Sequence, residues 1–136
     1  SANHRKQAKD YQLKNVKFLD TTSDISLIHK FLNTLDVYAH GRSDGEQCSS
    51  AIIEGLSHSL PMISHTAVSM GQLEQIGNAG VVVDGYEDYA QAMKKMMNNK
   101  NFYVECKLNA EKRYKEIYDV SSIIKSFIEL YKEVVS

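Results

Sequence analysis

The sequence predicts an α/β fold, in which helices cover both faces of a parallel sheet, within a single domain of residues 1–136. Two observations lead to this prediction. Short apolar segments alternate with longer segments whose apolar residues recur every three or four positions, as in strands alternating with amphipathic helices. The short segments are apolar throughout, which is typical of strands that are buried on both faces. A chain of 136 residues is long enough to bury one core of this kind.

The predicted strands are four short apolar segments: residues 16–19, 36–39, 61–64 and 80–83. After the first strand, residues 21–24 offer helix caps, and a helix face follows: Ile25, Ile28, Leu32 and Leu35. The other predicted helices are residues 47–58, 70–77, 86–98, 102–118 and 121–135. The polar stretch 3–14 and the charged run 111–116 are interpreted as solvated surfaces.

Composition excludes several classes of protein. The 16 Lys+Arg nearly balance the 17 Asp+Glu, for a formal net charge of −1, so we expect no nucleic-acid partner. No apolar run approaches the ~20 residues that a membrane-spanning helix needs. The two cysteines, Cys48 and Cys106, form neither a disulfide framework nor a zinc-ligand pattern. These features predict a cytoplasmic protein.

The segment after the second predicted strand contains the most residues that could bind a ligand or take part in catalysis. In parallel α/β sheets, ligands bind beyond the carboxyl ends of the strands, and here a polar loop with two glycines leads into a helix. The N-terminus of that helix is an intrinsic anion site. Glu46 and Glu54 are eight residues apart, which on a helix spans ~12 Å. That separation is too long for the paired carboxylates of a hydrolytic glycosidase, but it suits the two ends of a nucleotide-sugar.

The two glutamates and their surroundings resemble the retaining, metal-independent glycosyltransferases of group 1, which have the GT-B fold and an E-x7-E motif. That family shows an ordered set of short motifs around the two glutamates. This sequence has them in the same order: Asp36-Val37-Tyr38, Gly45-Glu46, Glu54, Pro61-Met62-Ile63, Gly71 with Glu74, and Gly80-Val81-Val82-Val83. The resemblance covers about residues 16–97 and implies the Rossmann-like C-terminal, donor-binding domain of such an enzyme, lacking its first strands and its N-terminal acceptor-binding domain.

The resemblance implies roles for the acidic residues of this segment. Glu54 accepts hydrogen bonds from the ribose hydroxyls of the donor nucleotide. Glu46, the implied catalytic residue, contacts the hydroxyls of the donor hexose, and Gly45 precedes it in the same loop. No metal ion and no cofactor are implied.

The resemblance also implies the neighbouring contacts to the donor. The backbone N–H groups of Gln47, Cys48 and Ser49 approach the sugar and the diphosphate. His40 and Arg42 lie on the same loop, and Arg42 is placed to neutralise the departing diphosphate. Cys48 itself is interpreted as a small residue packed at the start of a helix, rather than as a nucleophile.

The implied activity is transfer of a hexosyl group from a UDP- or GDP-type sugar to a glycan or lipid-linked acceptor, in polysaccharide biosynthesis. The acceptor would bind the missing domain, so we expect the domain alone to be inactive. The whole enzyme is expected at the inner face of the membrane through peripheral contact. Two alternatives stay open at this point: a non-catalytic α/β binding module, and a GT-B sugar-nucleotide epimerase.

One departure from the family concerns the end of the helix that carries Glu54. Many members have a glycine where this chain has Ser59. We therefore expect strain at this helix end if Ser59 takes a left-handed backbone conformation.

Overall fold

The computed structural model describes residues 2–41, 48–65 and 70–135. The chain divides into two compact units, Ser1–Phe31 and Leu32–Ser136. The first unit contains helix α1 (Ala2–Asp10) and most of helix α2 (Ile25–Leu32). The second unit contains the sheet and the helices that pack on it.

Residues 16–19 do not form the predicted strand. Val16 and Leu19 are 42% and 64% exposed, and no described strand pairs with this segment. A strand is defined by its hydrogen-bonded neighbour, so an apolar run that finds none stays irregular. The segment contacts α1 instead, because Arg5 lies 5.0 Å from the centroid of the Phe18 ring and 3.3 Å from a carboxylate oxygen of Asp20.

Helix α2 begins where the sequence predicts. The Asp24 carboxylate accepts hydrogen bonds from the backbone N–H of Ser26 at 2.9 Å and of Leu27 at 3.3 Å. This is the geometry of a helix cap, in which a short acidic side chain satisfies the N–H groups that have no partner in the first turn. The predicted capping segment is therefore confirmed, with Asp24 as the cap.

The other three predicted strands form one parallel sheet. Strands β1 (Tyr38–Ala39), β2 (Met62–His65) and β3 (Gly80–Val83) lie in the order β1-β2-β3. Met62 pairs with Tyr38 on one side and with Gly80 on the other. Parallel neighbours need a crossover connection, so the helix between each pair of strands must return the chain over one face of the sheet to the edge where the next strand begins.

Those crossovers are helix α3 (Ser50–Ser57), between β1 and β2, and helix α4 (Met70–Ile76), between β2 and β3. A 3₁₀ turn (Gly77–Ala79) joins α4 to β3. Three helices follow the sheet: α5 (Tyr86–Asn98), α6 (Lys100–Arg113) and α7 (Val120–Val135). The predicted helix over 102–118 ends at Arg113 and continues as a π-helical turn, Tyr114–Tyr118.

The core lies on both faces of β2. Met62 and Ile63 are adjacent and fully buried, and their side chains point to opposite faces because side chains alternate along a strand. Met62 belongs to a cluster completed by Ile52, Leu56, Ile76, Ala79 and Ala110. Ile63 belongs to a second cluster completed by Ala92, Met96 and Cys106. Helices therefore cover both faces of the sheet, which confirms the predicted α/β layering.

Strands β2 and β3 approach each other closely at one residue. A Cβ atom added to Gly80 would lie 1.9 Å from the carbonyl oxygen of Met62. No side chain fits at that distance, so glycine is required there by the register of the sheet.

Helix α7 keeps its apolar residues on one side and exposes them. At about 100° per residue, they fall within an arc of ~160°, and the polar residues occupy the rest. The exposed apolar residues are Val120, Ile123, Ile124, Phe127, Ile128, Leu130, Tyr131, Val134 and Val135. No helix in the described ranges is long and apolar enough to cross a membrane.

Helix α3 ends in a left-handed residue, which is the condition under which the sequence predicts strain. Ser59 has φ of 55°, and its N–H donates to the carbonyl of Leu56 at 2.9 Å. The N–H of Leu60 then reaches back to the carbonyl of Gly55 at 3.1 Å. This is the hydrogen-bond pattern of a helix end that normally uses glycine, because an L-residue in this conformation places Cβ against the backbone.

We predict that Ser59→Gly stabilises the protein by about 0.5–1 kcal/mol, because relief of the left-handed strain exceeds the added entropy of the unfolded chain. The matched control is Ser57→Gly in the last turn of α3, which should destabilise it by about 0.5 kcal/mol through lower helix propensity. Urea unfolding of both variants measures the two changes. A Ser59→Gly protein less stable than the unchanged one would contradict the assignment of strain.

Candidate functional site

The three strands of the sheet end at one edge, and the start of α3 follows that edge in the chain. His40 and Gly41 come directly after β1, and α3 begins at Ser50. Backbone N–H groups in the first turn of a helix have no partner within the helix, and they carry a partial positive charge. This edge therefore combines strand ends with a helix N-terminus, as the sequence predicts.

Four of the predicted site residues lie outside the described residues: Arg42, Gly45, Glu46 and Gln47. Their implied roles, and the ~12 Å expected between Glu46 and Glu54 on a helix, stay predictions. The other four predicted residues lie within the described ranges: His40, Cys48, Ser49 and Glu54.

His40 extends the hydrogen bonding of β1 by one residue. Its backbone N–H donates to the carbonyl of Ile63 at 2.7 Å. The His40 ring stacks on Tyr38, with centroids 6.3 Å apart and planes inclined by 19°. The sheet thus fixes the backbone of His40, and Tyr38 orients its imidazole.

Ser49 precedes α3 and is held by a buried amide from α4. The Ser49 N–H donates to Oε1 of Gln75 at 2.8 Å, and Nε2 of Gln75 donates to the carbonyl of Ser49 at 3.2 Å. The same Nε2 lies 3.4 Å from Sγ of Cys48, whose side chain is exposed. Ser49 is 1% exposed and Gln75 is 5% exposed. The N–H of Ser49 is therefore already bonded within the protein.

The first turn of α3 is not closed by its cap residue. Ser49 has the extended backbone of an N-cap, but its side chain makes no capping hydrogen bond in the described part of the chain. The side chain of the N-cap residue, which usually accepts a hydrogen bond from an N–H group of the first turn, thus does not do so within the described residues. Glu54 lies further along α3, with its side chain exposed.

Sequence reasoning missed two buried amides of α4. Gln72 is 2% exposed, and its Oε1 accepts a hydrogen bond from Oγ of Ser64 on β2 at 2.6 Å. Gln75 follows three residues later and bonds Ser49. Their spacing places both on one face of α4, together with buried Ile76. The spacing of these residues was the signal in the sequence that could have predicted their burial. Glutamine side chains are usually exposed, however, so the residue type did not indicate an interior position.

Residues 1–113 match the family model described as glycosyl transferases, group 1. The chain belongs to this family. No curated protein matches the sequence.

The fold of this group 1 glycosyl transferase chain is similar to that of solved structures of HepE from Anabaena. The complex of HepE with UDP-glucose gives a TM-score of 0.78 at 20% identity, and the complex with UDP gives 0.80 at 21%. A third structure, with UDP and glucose, gives 0.78 at 21%. In each comparison the match covers 97% of this chain and 36% of the HepE chain. The predicted fold, that of the C-terminal half of a GT-B glycosyltransferase, is confirmed.

The C-terminal end of α4 in this glycosyl transferase is closed by Arg113 from α6. Its Nε donates to the carbonyl of Gln75 at 2.6 Å, and its Nη2 donates to the carbonyl of Glu74. A guanidinium suits this position, because the last carbonyls of a helix lack partners and carry a partial negative charge. The interpretation of the charged run as a solvated face is thus wrong for Arg113, which is half-buried. It is right for Lys115, whose exposed side chain lies 2.5 Å from the Glu111 carboxylate.

Aromatic side chains of α5 pack against His65 at the C-terminal end of β2. The ring of His65 stacks on that of Tyr89, with centroids 4.8 Å apart, and meets that of Tyr86 edge-on at 6.2 Å. The hydroxyl of Tyr89 donates to the carbonyl of Ile63 at 3.2 Å. Burial, with a smaller contribution from Tyr38, raises the pKa of Tyr89 to about 12. The phenol therefore stays protonated at neutral pH and keeps its hydrogen bond to the strand.

We predict that Arg113→Met lowers the free energy of unfolding by about 2 kcal/mol, because it leaves two helix-end carbonyls without their donor. The control is Lys112→Met on the same turn, whose exposed amine lies 3.9 Å from Glu116 and should matter by less than about 0.5 kcal/mol. Chemical denaturation of both variants gives the comparison. Equal losses would show that Arg113 does not act through the carbonyls of α4.

Proposed function

We propose that this domain binds a nucleoside-diphosphate sugar and presents it for transfer of its hexosyl group to a glycan or lipid-linked acceptor, with retention of configuration. Membership of the group 1 glycosyl transferases, over residues 1–113, is the observation that carries the proposal. The likeness of fold to HepE, solved with UDP-glucose and with UDP, favours a UDP-type donor.

The two glutamates of the E-x7-E motif would bind opposite ends of the donor. Glu54 would accept hydrogen bonds from both ribose hydroxyls, a task that suits a carboxylate because it has two acceptor oxygens. Its exposed position on α3 leaves the carboxylate accessible to a ligand. Glu46 would contact the hexose hydroxyls and act as the catalytic carboxylate.

The diphosphate would lie at the N-terminus of α3, where the partial charge and the N–H groups favour an anion. Gln47 and Cys48 would donate backbone hydrogen bonds there. Ser49 would not donate its N–H to the diphosphate, since that N–H is bonded to Gln75. It would contribute to the site through the fixed position of its backbone.

The rest of the loop would complete the donor site. Gly45 would bring the backbone close to the sugar, and His40 would line the loop at the end of β1. Arg42 would stabilise the charge of the departing diphosphate by a charge-assisted hydrogen bond.

In the proposed reaction, the bond between the anomeric carbon and the diphosphate oxygen breaks, and the electron pair leaves with the diphosphate. The acceptor hydroxyl attacks from the same face, and its proton passes to an oxygen of the leaving diphosphate. The protein positions the reactants and stabilises the charge on the leaving group. No metal ion, cofactor or protein nucleophile takes part in this scheme.

The chain spans about a third of the length of HepE, with 36% of that chain covered. We therefore assign only the donor side of the reaction to residues 1–136, and assign the acceptor to a further domain. On this proposal the 136 residues alone bind donor but do not transfer the sugar. A cytoplasmic location, with peripheral contact to the inner face of a membrane, fits a lipid-linked acceptor.

The proposal predicts saturable binding of UDP to the 136-residue chain, weakened about tenfold in Glu54→Gln through loss of charged hydrogen bonds to the ribose. Glu105→Gln is the matched control, because Glu105 is also an exposed helix carboxylate, on α6, and should leave binding unchanged. Isothermal titration measures the three proteins, and GDP replaces UDP in a parallel series.

Absence of binding for both UDP and GDP would overturn the donor-binding function. Equal binding by Glu54→Gln and Glu105→Gln would instead remove Glu54 from the site, while leaving the function in place.

A further inference from the structure

The start of α3 is held by a buried side chain from a different helix. Gln75 bonds both backbone polar atoms of Ser49, through its oxygen at 2.8 Å and its nitrogen at 3.2 Å. An amide that satisfies the N–H and the C=O of one residue fixes the position and the orientation of that peptide segment. The side chain of Gln75 thus provides the backbone of Ser49 with the donor and the acceptor that a neighbouring strand provides in a sheet.

The backbone of Gln75 is itself held by side chains that contact its carbonyl. Its own carbonyl accepts a hydrogen bond from Nε of Arg113 at 2.6 Å, and the hydroxyl of Tyr118 lies 3.5 Å from the same oxygen. The α6 helix and the π-helical turn therefore hold the backbone of Gln75, and Gln75 in turn holds Ser49. A side chain with both ends fixed transmits a defined geometry, because it has little freedom to reorient.

Burial of an amide costs free energy of desolvation, so packing alone does not explain a glutamine at this position. Leucine or methionine would fill the volume without the desolvation of two polar groups, which only well-formed hydrogen bonds offset. The position of Gln75, at 5% exposure beside the first turn of α3, indicates that the backbone of Ser49 must be held in one arrangement.

We propose that Gln75 is a positioning residue for the diphosphate of the donor. By fixing Ser49, it directs the N–H groups in the first turn of α3 toward the place where the diphosphate would lie. It makes no contact with the ligand in this scheme. The inference rests on the proposed donor-binding function, and it assigns to that site a residue outside the loop and outside the E-x7-E motif.

The test compares two ligands that differ only in the diphosphate. Gln75→Met keeps the size and removes both hydrogen bonds to Ser49. We expect it to lower the affinity for UDP about tenfold, and that for uridine by less than about threefold, because only the diphosphate depends on the direction of the N–H groups. The measured quantity is the ratio of the two affinities, determined by titration with the 136-residue chain.

Gln72→Met is the matched control. Gln72 lies one turn earlier on the same helix, is similarly buried at 2%, and bonds Ser64 on β2 rather than the start of α3. Its loss should destabilise the protein to a similar extent, and it should leave the ratio of UDP affinity to uridine affinity unchanged. A merely structural role for Gln75 would give the same result for both variants.

A second variant covers the case in which Gln75→Met does not fold, as judged by circular dichroism. Gln75→Asn keeps a neutral amide that is one methylene too short to reach both atoms of Ser49, and we expect a smaller loss of the ratio in the same direction. An unchanged ratio in the folded Gln75 variants, with UDP still bound by the unchanged chain, would overturn the positioning role alone. Failure of the unchanged chain to bind UDP or GDP would overturn the donor-binding function, and the positioning role with it.

Discussion

The second unit of this protein depends on one short strand. β2 is four residues long, is buried along its whole length and pairs in parallel with both other strands of the described sheet. Because its side chains alternate, Met62 anchors the cluster beneath α3 and α4, and Ile63 anchors the cluster beneath α5 and α6. The carbonyl of Ile63 also accepts hydrogen bonds from the backbone of His40 and from the hydroxyl of Tyr89. The strand that divides the core thus also places the residues at the edge of the candidate site.

Apolar patterning predicted most of this architecture, because burial on both faces leaves a clear signal in the sequence. Three of the four predicted strands formed, within about two residues of the expected bounds. The fourth segment, residues 16–19, is also mostly apolar but pairs with no strand in the described part of the chain. Pairing is a property of two segments, so the pattern of one cannot establish it. The left-handed Ser59 was predictable, since local hydrogen bonding at a helix end imposes a known backbone conformation.

The polar part of the candidate site was harder to predict. The loop after β1 stands out in the sequence because charged residues and glycines are concentrated there. Gln75 and Arg113 do not stand out, because each acts on backbone atoms far away in the chain, across 26 residues to Ser49 and 38 residues from Arg113 to Gln75. A backbone acceptor has no side-chain identity, so no pairing of residue types in the sequence reveals such a contact. Only the folding of α3, α4 and α6 against the sheet brings these atoms together.

The hydrogen bonds on either side of Gln75 are made to backbone atoms, at Ser49 by its side chain and at its own carbonyl by Arg113. This determines how strongly the arrangement is held. A hydrogen bond made in a folded protein contributes only about 1 kcal/mol, whereas a buried donor or acceptor left without a partner costs about 1–3 kcal/mol. The N–H of Ser49 is buried with its residue, so any movement of Gln75 away from it leaves that donor unsatisfied. The arrangement is therefore maintained less by what its bonds contribute than by the penalty for breaking them. Such a penalty rises steeply with small displacements, which is the property that the proposed positioning role of Gln75 requires.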